Sequence, residues 1–203
     1  MSYPTPNFSL DLSGDVAIVT GTTSGLGKRF AQILAACGAS VVLTGRRIEK
    51  LQELAGEIRA NGGICEPIAT DMTDRASIRS MVNAAEAKFG TVNILVNNAG
   101  VPDAQRAVRM SDDLIDSVVD TNLVGPYVLS CEIAKRLMAE KKPGRIVNIS
   151  SIAAFNTSPG SAAALYSITK SGVVRMTEAL SVEWSKFRIN VNCIAPGAFS
   201  SEM

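Results

Sequence analysis

The 203-residue sequence contains no histidine. That absence removes Ser-His-Asp and Cys-His catalysis, HExxH zinc sites and any imidazole general base, and no metal site is expected. Chemistry must rest on Tyr, Lys, Ser, Asp or Glu, or on a bound cofactor. Cysteine is also scarce. Cys37, Cys65, Cys131 and Cys193 stand far apart with no C-x-x-C pair, which reads as small buried thiols of a reducing compartment. An excess of one charge is missing too. Twenty Lys and Arg stand against 19 Asp and Glu, for a net charge of +1, which gives no reason to bind nucleic acid or an anionic membrane. No uninterrupted run reaches the roughly 20 apolar residues of a membrane span. Met1–Leu10 lacks the basic and apolar regions of an export signal. The expectation is a cytoplasmic protein with neither nucleic acid nor membrane as partner.

What is present is 46% hydrophobic residues in a length that suits one domain. Short Val/Ile-rich runs alternate with longer helical patterns. Strands are expected at Asp15–Thr20, Ser40–Thr44, Ile64–Thr70, Val92–Val96, Arg145–Ser150 and Ile189–Ile194. After the first strand, Leu26, Phe30, Ile33, Leu34 and Cys37 fall on one helical stripe, ended by Gly38. Ile48, Leu51, Leu54, Ala55 and Ile58 make a second amphipathic helix. Thr73-Asp74 can cap a third, with Ile78, Met81, Val82 and Ala85 inward. A long helical region over about Asp112–Glu140 is interrupted or bent by Gly125-Pro126, and another helix runs from about Ala162 to Lys186. Alternation of continuous apolar strands with helices predicts an α/β fold, a doubly wound parallel sheet in one three-layered domain.

The first strand ends in Thr20-Gly21-Thr22-Thr23-Ser24-Gly25-Leu26-Gly27. Glycines there allow a tight turn and close backbone approach, and the amides of the following helix favour an anion such as a diphosphate. The spacing G-x-x-x-G-x-G departs from the G-x-G-x-x-G of the common dinucleotide loop. TGTTSGLG resembles the T-G-x-x-x-G-x-G signature of the short-chain dehydrogenase/reductase family. Further motifs follow in the family's order: Asn97-Asn98-Ala99-Gly100 after the fourth strand, Asn122 in the long helix, Ser151 after the fifth strand, Tyr166-Ser167-Ile168-Thr169-Lys170 as Y-x-x-x-K, and Pro196-Gly197 after the sixth strand. The resemblance runs from about Leu12 to the end of the chain. It is to the short single-domain branch, with members like bacterial 3-oxoacyl-[acyl-carrier-protein] reductases and glucose/ribitol dehydrogenases.

The resemblance implies a Rossmann fold, with residues 1–11 an N-terminal extension and 12–203 the dinucleotide-binding catalytic domain. It implies cofactor contacts from Gly21, Thr23, Ser24, Gly25, Leu26, Met72, Asn98, Ala99, Gly100, Tyr166, Lys170, Pro196 and Gly197. Asp71 matches the position that bonds the adenine amino group, or else caps the next helix. At the end of the second strand, where NAD-specific sites place a carboxylate, stand Gly45-Arg46-Arg47. Arg46 and Arg47 would attract a 2′-phosphate, so NADP(H) is expected over NAD(H).

Tyr166 and Lys170 are four apart and share a helix face. A nearby ammonium favours a phenolate, which gives a proton-transfer group without histidine. The resemblance implies that Lys170 also bonds the cofactor ribose, that Ser151 bonds the substrate oxygen, and that Asn122, at a helix distortion that nearby Gly125-Pro126 makes plausible, supports a proton relay. Ser150 is the rival serine. The stretch Ile152–Leu165 is slightly longer than usual, which predicts a looser loop around Asn156–Gly160. The expected activity is hydride transfer between NADP(H) and a secondary alcohol/ketone pair. Two rivals are a catalytically silent NADP(H)-binding regulator on the same fold and a nucleotide-sugar epimerase or dehydratase. Ala162, Ala163, Ala164, Ile168, Val173, Val174 and Met176 are expected to give one helix an apolar face for a homodimer or homotetramer. Because the chain ends at Ser201-Glu202-Met203, it is expected to lack the family's lid and C-terminal strand.

Overall fold

Six parallel strands form the sheet of the computed structural model, which describes residues 10–103, 105–156 and 162–197. They are β1 (Val16–Thr20), β2 (Ser40–Gly45), β3 (Ile64–Ala69), β4 (Ile94–Asn97), β5 (Gly144–Ile149) and β6 (Ile189–Ile194), in the spatial order β3-β2-β1-β4-β5-β6. The helices are α1 (Gly25–Ala36), α2 (Ile48–Ala60), α3 (Arg75–Phe89), α4 (Asp112–Val119), α5 (Gly125–Glu140) and α6 (Ala164–Trp184). No described helix is long and apolar enough to cross a membrane.

Alternate residues of a strand face opposite sides of a sheet, and β1 shows how both sides are filled. Ala17 and Val19 join the layer built by α1 and α2, with Leu51, Leu54 and Ile58. Val16 and Ile18 join the layer built by α3, α5 and α6, with Ile78, Leu129, Ile133, Leu137 and Val173. A strand buried on both faces has no polar side to display, so the apolar runs of the sequence are continuous. At the β3 edge, Pro67 lies within the strand and Glu66 pairs with Arg59 at 3.6 Å and Lys88 at 3.8 Å.

Three expectations are corrected in detail. The buried stripe of α1 is Gly27, Ala31 and Ala35, whereas Ile33 is exposed. Small residues let the helix axis approach the sheet, and the larger Phe30, Leu34 and Cys37 pack beside them, partly buried. The long helical region is broken not at Gly125-Pro126 but just before it: Asp120–Val124 is a π turn, in which the N–H of Gly125 reaches back to the Asp120 carbonyl. On α6, Val173 and Met176 face the core rather than solvent, while Ile168 is exposed. Thus the apolar residues of this helix are divided between two sides. The expected loose loop lies mostly outside the described residues; of it, Asn156 is exposed.

Candidate active site

The strand order reverses direction between β1 and β4. A crevice at the carboxyl ends of the strands forms at such a switch point. The structure has a cleft of about 570 Å³ there. Its lining gathers Gly21, Thr23, Ser24, Gly25 and Leu26 after β1, Arg46 and Arg47 after β2, and Asp71 and Met72 after β3. Asn98, Ala99 and Gly100 follow β4, Ser151 follows β5, Tyr166 and Lys170 come from α6, and Pro196 and Gly197 follow β6. Of the residues expected to contact cofactor or substrate, only Asn122 is not part of the lining.

The glycine loop is shaped by what it touches. Gly21 has φ +70°, and a Cβ there would sit 2.8 Å from the Ala99 Cα. The Thr20 hydroxyl accepts the N–H groups of Asn98 and Ala99, both at 2.9 Å. The Asn98 side chain returns a bond to the Thr20 carbonyl at 3.0 Å. Thr20, the first residue of the glycine motif and the buried end of β1, builds the site although the motif assigns it no contact; its side chain is fully enclosed and its hydroxyl is spent on the Asn98 and Ala99 amides. Ser24 precedes α1 but caps none of its amides with its side chain, and no acid stands in the first turn. Those amides, facing a cleft, fit a diphosphate.

At the far end of the cleft, Arg47 Nη2 donates to Thr23 Oγ1 at 2.7 Å. Arg46 is exposed. Gly45 leaves no carboxylate between them and the cleft, so the charge there is positive. Asp71 turns on itself: Oδ1 accepts the Thr73 N–H and hydroxyl, both at 2.9 Å. The Thr73 N–H holds its carboxyl below the usual range, aided by the Thr73 hydroxyl and Arg46. Capping of α3 falls to Asp74, whose Oδ1 accepts from Ala76 N at 2.7 Å.

On the reacting side, α6 presents Tyr166 and Lys170 together. The Lys170 ammonium lies 5.6 Å from the Tyr166 ring centroid and donates to the Ile149 carbonyl at 2.8 Å. Burial pushes its pKa down from 10.5 to about 8. The two serines differ. Ser150 is 3% exposed and donates to the Lys170 carbonyl at 2.8 Å. Ser151 is half-buried, and its Oγ accepts from Ala153 N at 3.1 Å. The Ser150 proton is spent inside the protein; the Ser151 hydroxyl retains its own to donate. Asn122, 1% exposed in the π turn, accepts from Val101 N at 2.8 Å and donates to the Val101 carbonyl at 2.9 Å and to Thr169 Oγ1 at 3.3 Å. Both amide hydrogens are used, so its side chain fixes the loop after β4.

Known proteins share this fold. A family profile described as short chain dehydrogenase matches residues 15–203. The 3-oxoacyl-[acyl-carrier-protein] reductase of Rickettsia conorii is 35% identical over 194 residues, 96% of this chain and 76% of that protein. An uncharacterized oxidoreductase of Caenorhabditis elegans is 35% identical over 193 residues, 94% of this chain but 61% of its own length. Among solved structures, a metagenomic short-chain oxidoreductase in complex with NADP superposes with a TM-score of 0.85 at 35% identity, covering 93% of this chain and 84% of its own. An actinorhodin polyketide ketoreductase variant with NADPH gives 0.88 at 36% identity, covering 93% and 72%. The chain belongs to the short-chain dehydrogenase family.

Proposed function

We propose that this protein is an NADP(H)-dependent oxidoreductase acting on a secondary alcohol/ketone pair. The observation that carries the reading is the convergence, in one cleft, of an anion-fitted glycine loop, an arginine pair at one end and Ser151, Tyr166 and Lys170 at the other. The NADP and NADPH bound in two of the similar structures support the same cofactor here.

The glycine-loop amides and the start of α1 would hold the diphosphate, Arg46 and Arg47 would meet the 2′-phosphate, and Lys170 would reach the ribose. When bound, the nicotinamide supplies or accepts the hydride. Ser151 donates to the substrate carbonyl oxygen and orients it. Tyr166 gives that oxygen its phenolic proton, or takes it back in the alcohol-oxidising direction. Asn122 supports the path of proton resupply by fixing Val101 and Thr169 on either side of the π turn. Apolar groups exposed on α5 and α6, Tyr127, Ile168 and Val182, suit association of copies into a dimer or tetramer.

The test is NADPH consumption, followed by nicotinamide absorbance, over a panel of ketones, with alcohols and NADP for the reverse direction. Turnover that falls by about three orders of magnitude in Tyr166→Phe is the expected result. An unchanged rate in that variant rejects the assignment of the proton donor.

A further inference from the structure

Asp103 is a carboxylate 3% exposed in the loop after β4, and nothing in the reaction described above uses it. Its Oδ2 accepts the N–H of Leu165 at 2.9 Å and that of Tyr166 at 3.1 Å. These are first-turn amides of α6, where the N-cap residue, Ala163, offers no side-chain bond. The helix is thus capped from 62 and 63 residues away in the sequence. Among the described residues Oδ1 has no partner, so the α6 amides are the carboxylate's only ones there. A buried acid is retained only where something answers its charge, and the positive end of a helix dipole does so.

The loop that carries Asp103 is the same one that lines the cofactor end of the cleft with Asn98, Ala99 and Gly100. It is tied at one end to Thr20 and in the middle to Asn122. Its last tie is to the backbone of Tyr166 itself. We propose that Asp103 is a positioning residue: its charge-assisted bonds to the first amides of α6 set the tyrosine in register with the cofactor floor. Hydride donor and proton donor then share one frame, and a displacement of about an ångström at this joint would cost as much as 10²-fold in rate. The inference rests on Tyr166 being the proton donor.

The experiment compares the parent with Asp103→Ala and Asp103→Asn. Three quantities are read: kcat on the best ketone of the panel, Kd for NADPH by nicotinamide fluorescence, and hydrogen–deuterium exchange of the peptide spanning 164–170. The Ala variant is expected to lose about 10- to 100-fold in kcat, with the NADPH Kd within threefold and faster exchange in that peptide. The Asn variant, which keeps an acceptor but not the charge, is expected to lose two- to tenfold. Parent-like kcat and exchange in the Ala variant overturn the inference. If the Ala variant does not fold, the Asn variant decides by the same criteria. If the parent turns over nothing on the panel, the catalytic reading falls, and exchange alone decides whether Asp103 holds α6.

Discussion

Ser150 and Lys170 clasp β5 to α6 by crossed bonds. The Ser150 hydroxyl donates to the Lys170 carbonyl at 2.8 Å, while the Lys170 ammonium donates to the carbonyl of Ile149, the neighbour of Ser150, also at 2.8 Å. The strand and the helix that carry the reacting groups are therefore joined beneath them, within the protein interior.

This clasp separates two adjacent serines by experiment. Ser150→Ala should cost about 1–2 kcal/mol of stability through the loss of a buried hydrogen bond, and lower turnover less than tenfold. Ser151→Ala, which loses only the local bond from Ala153 N, should lower the melting temperature by no more than about 4 °C and lower kcat/KM by about 10²-fold or more. Thermal denaturation and steady-state kinetics on both variants check the pair.

Lys170 makes stability depend on alkaline pH in a definite direction. Burial holds its pKa at about 8 against 10.5. Between those values the unfolded chain carries a proton that the folded chain lacks, so stability rises as pH rises through the window. The penalty is complete below about pH 8 and gone above about pH 10.5. Lys170→Met removes this penalty together with the bond to Ile149. The unfolding free energy of the variant relative to the parent should therefore fall by about 3 kcal/mol from pH 7.5 to pH 10.5. Urea denaturation at the two pH values measures the difference. The variant should be inactive at both.

Arg46→Asp should cancel the positive charge of the arginine pair at its end of the cleft. Preference for NADPH over NADH, as the ratio of Kd values from nicotinamide fluorescence, should drop by about 10- to 100-fold. Unchanged preference would move the 2′-phosphate contact to Arg47 and its partner Thr23.

Gly21→Ala combines two faults, a side chain in the left-handed region and a Cβ 2.8 Å from the backbone of Ala99. The expected loss is about 2–4 kcal/mol, with NADPH binding abolished, because the loop must leave its place beside Asn98. Calorimetry and the same fluorescence titration read both effects.

Much of this was legible in the sequence because it depends on local rules. Strands buried on both faces must be apolar, which marks β1, β2 and β4; β3, with Glu66 and Pro67, and β6, which exposes Asn190 and Asn192, are marked by their Ile and Val content, and all six fall within about two residues of expectation. The glycine loop, Tyr166 and Lys170 stand out through the ordered set of motifs that resembles the short-chain dehydrogenase/reductase family, not through spacing alone. What escaped depends on partners distant in the chain. The stripe of α1 was misplaced because helical periodicity weights large side chains, whereas contact with the sheet selects Gly27, Ala31 and Ala35. The helix distortion expected at Asn122 is present as the π turn Asp120–Val124, but its cause is not Pro126, which sits in the first turn of α5. Asp103 carries no motif at all; its role emerges only when α6 folds back onto the loop.

The β3 edge has a further meaning for how the molecule behaves in crowded solution. Pro67 withholds a donor from any strand that would extend the sheet, and Glu66, flanked by Arg59 and Lys88, sets charge along the same border. A partially opened molecule is thereby guarded on this side against templating fibrous aggregates. Extension of the sheet from this border is thereby disfavoured.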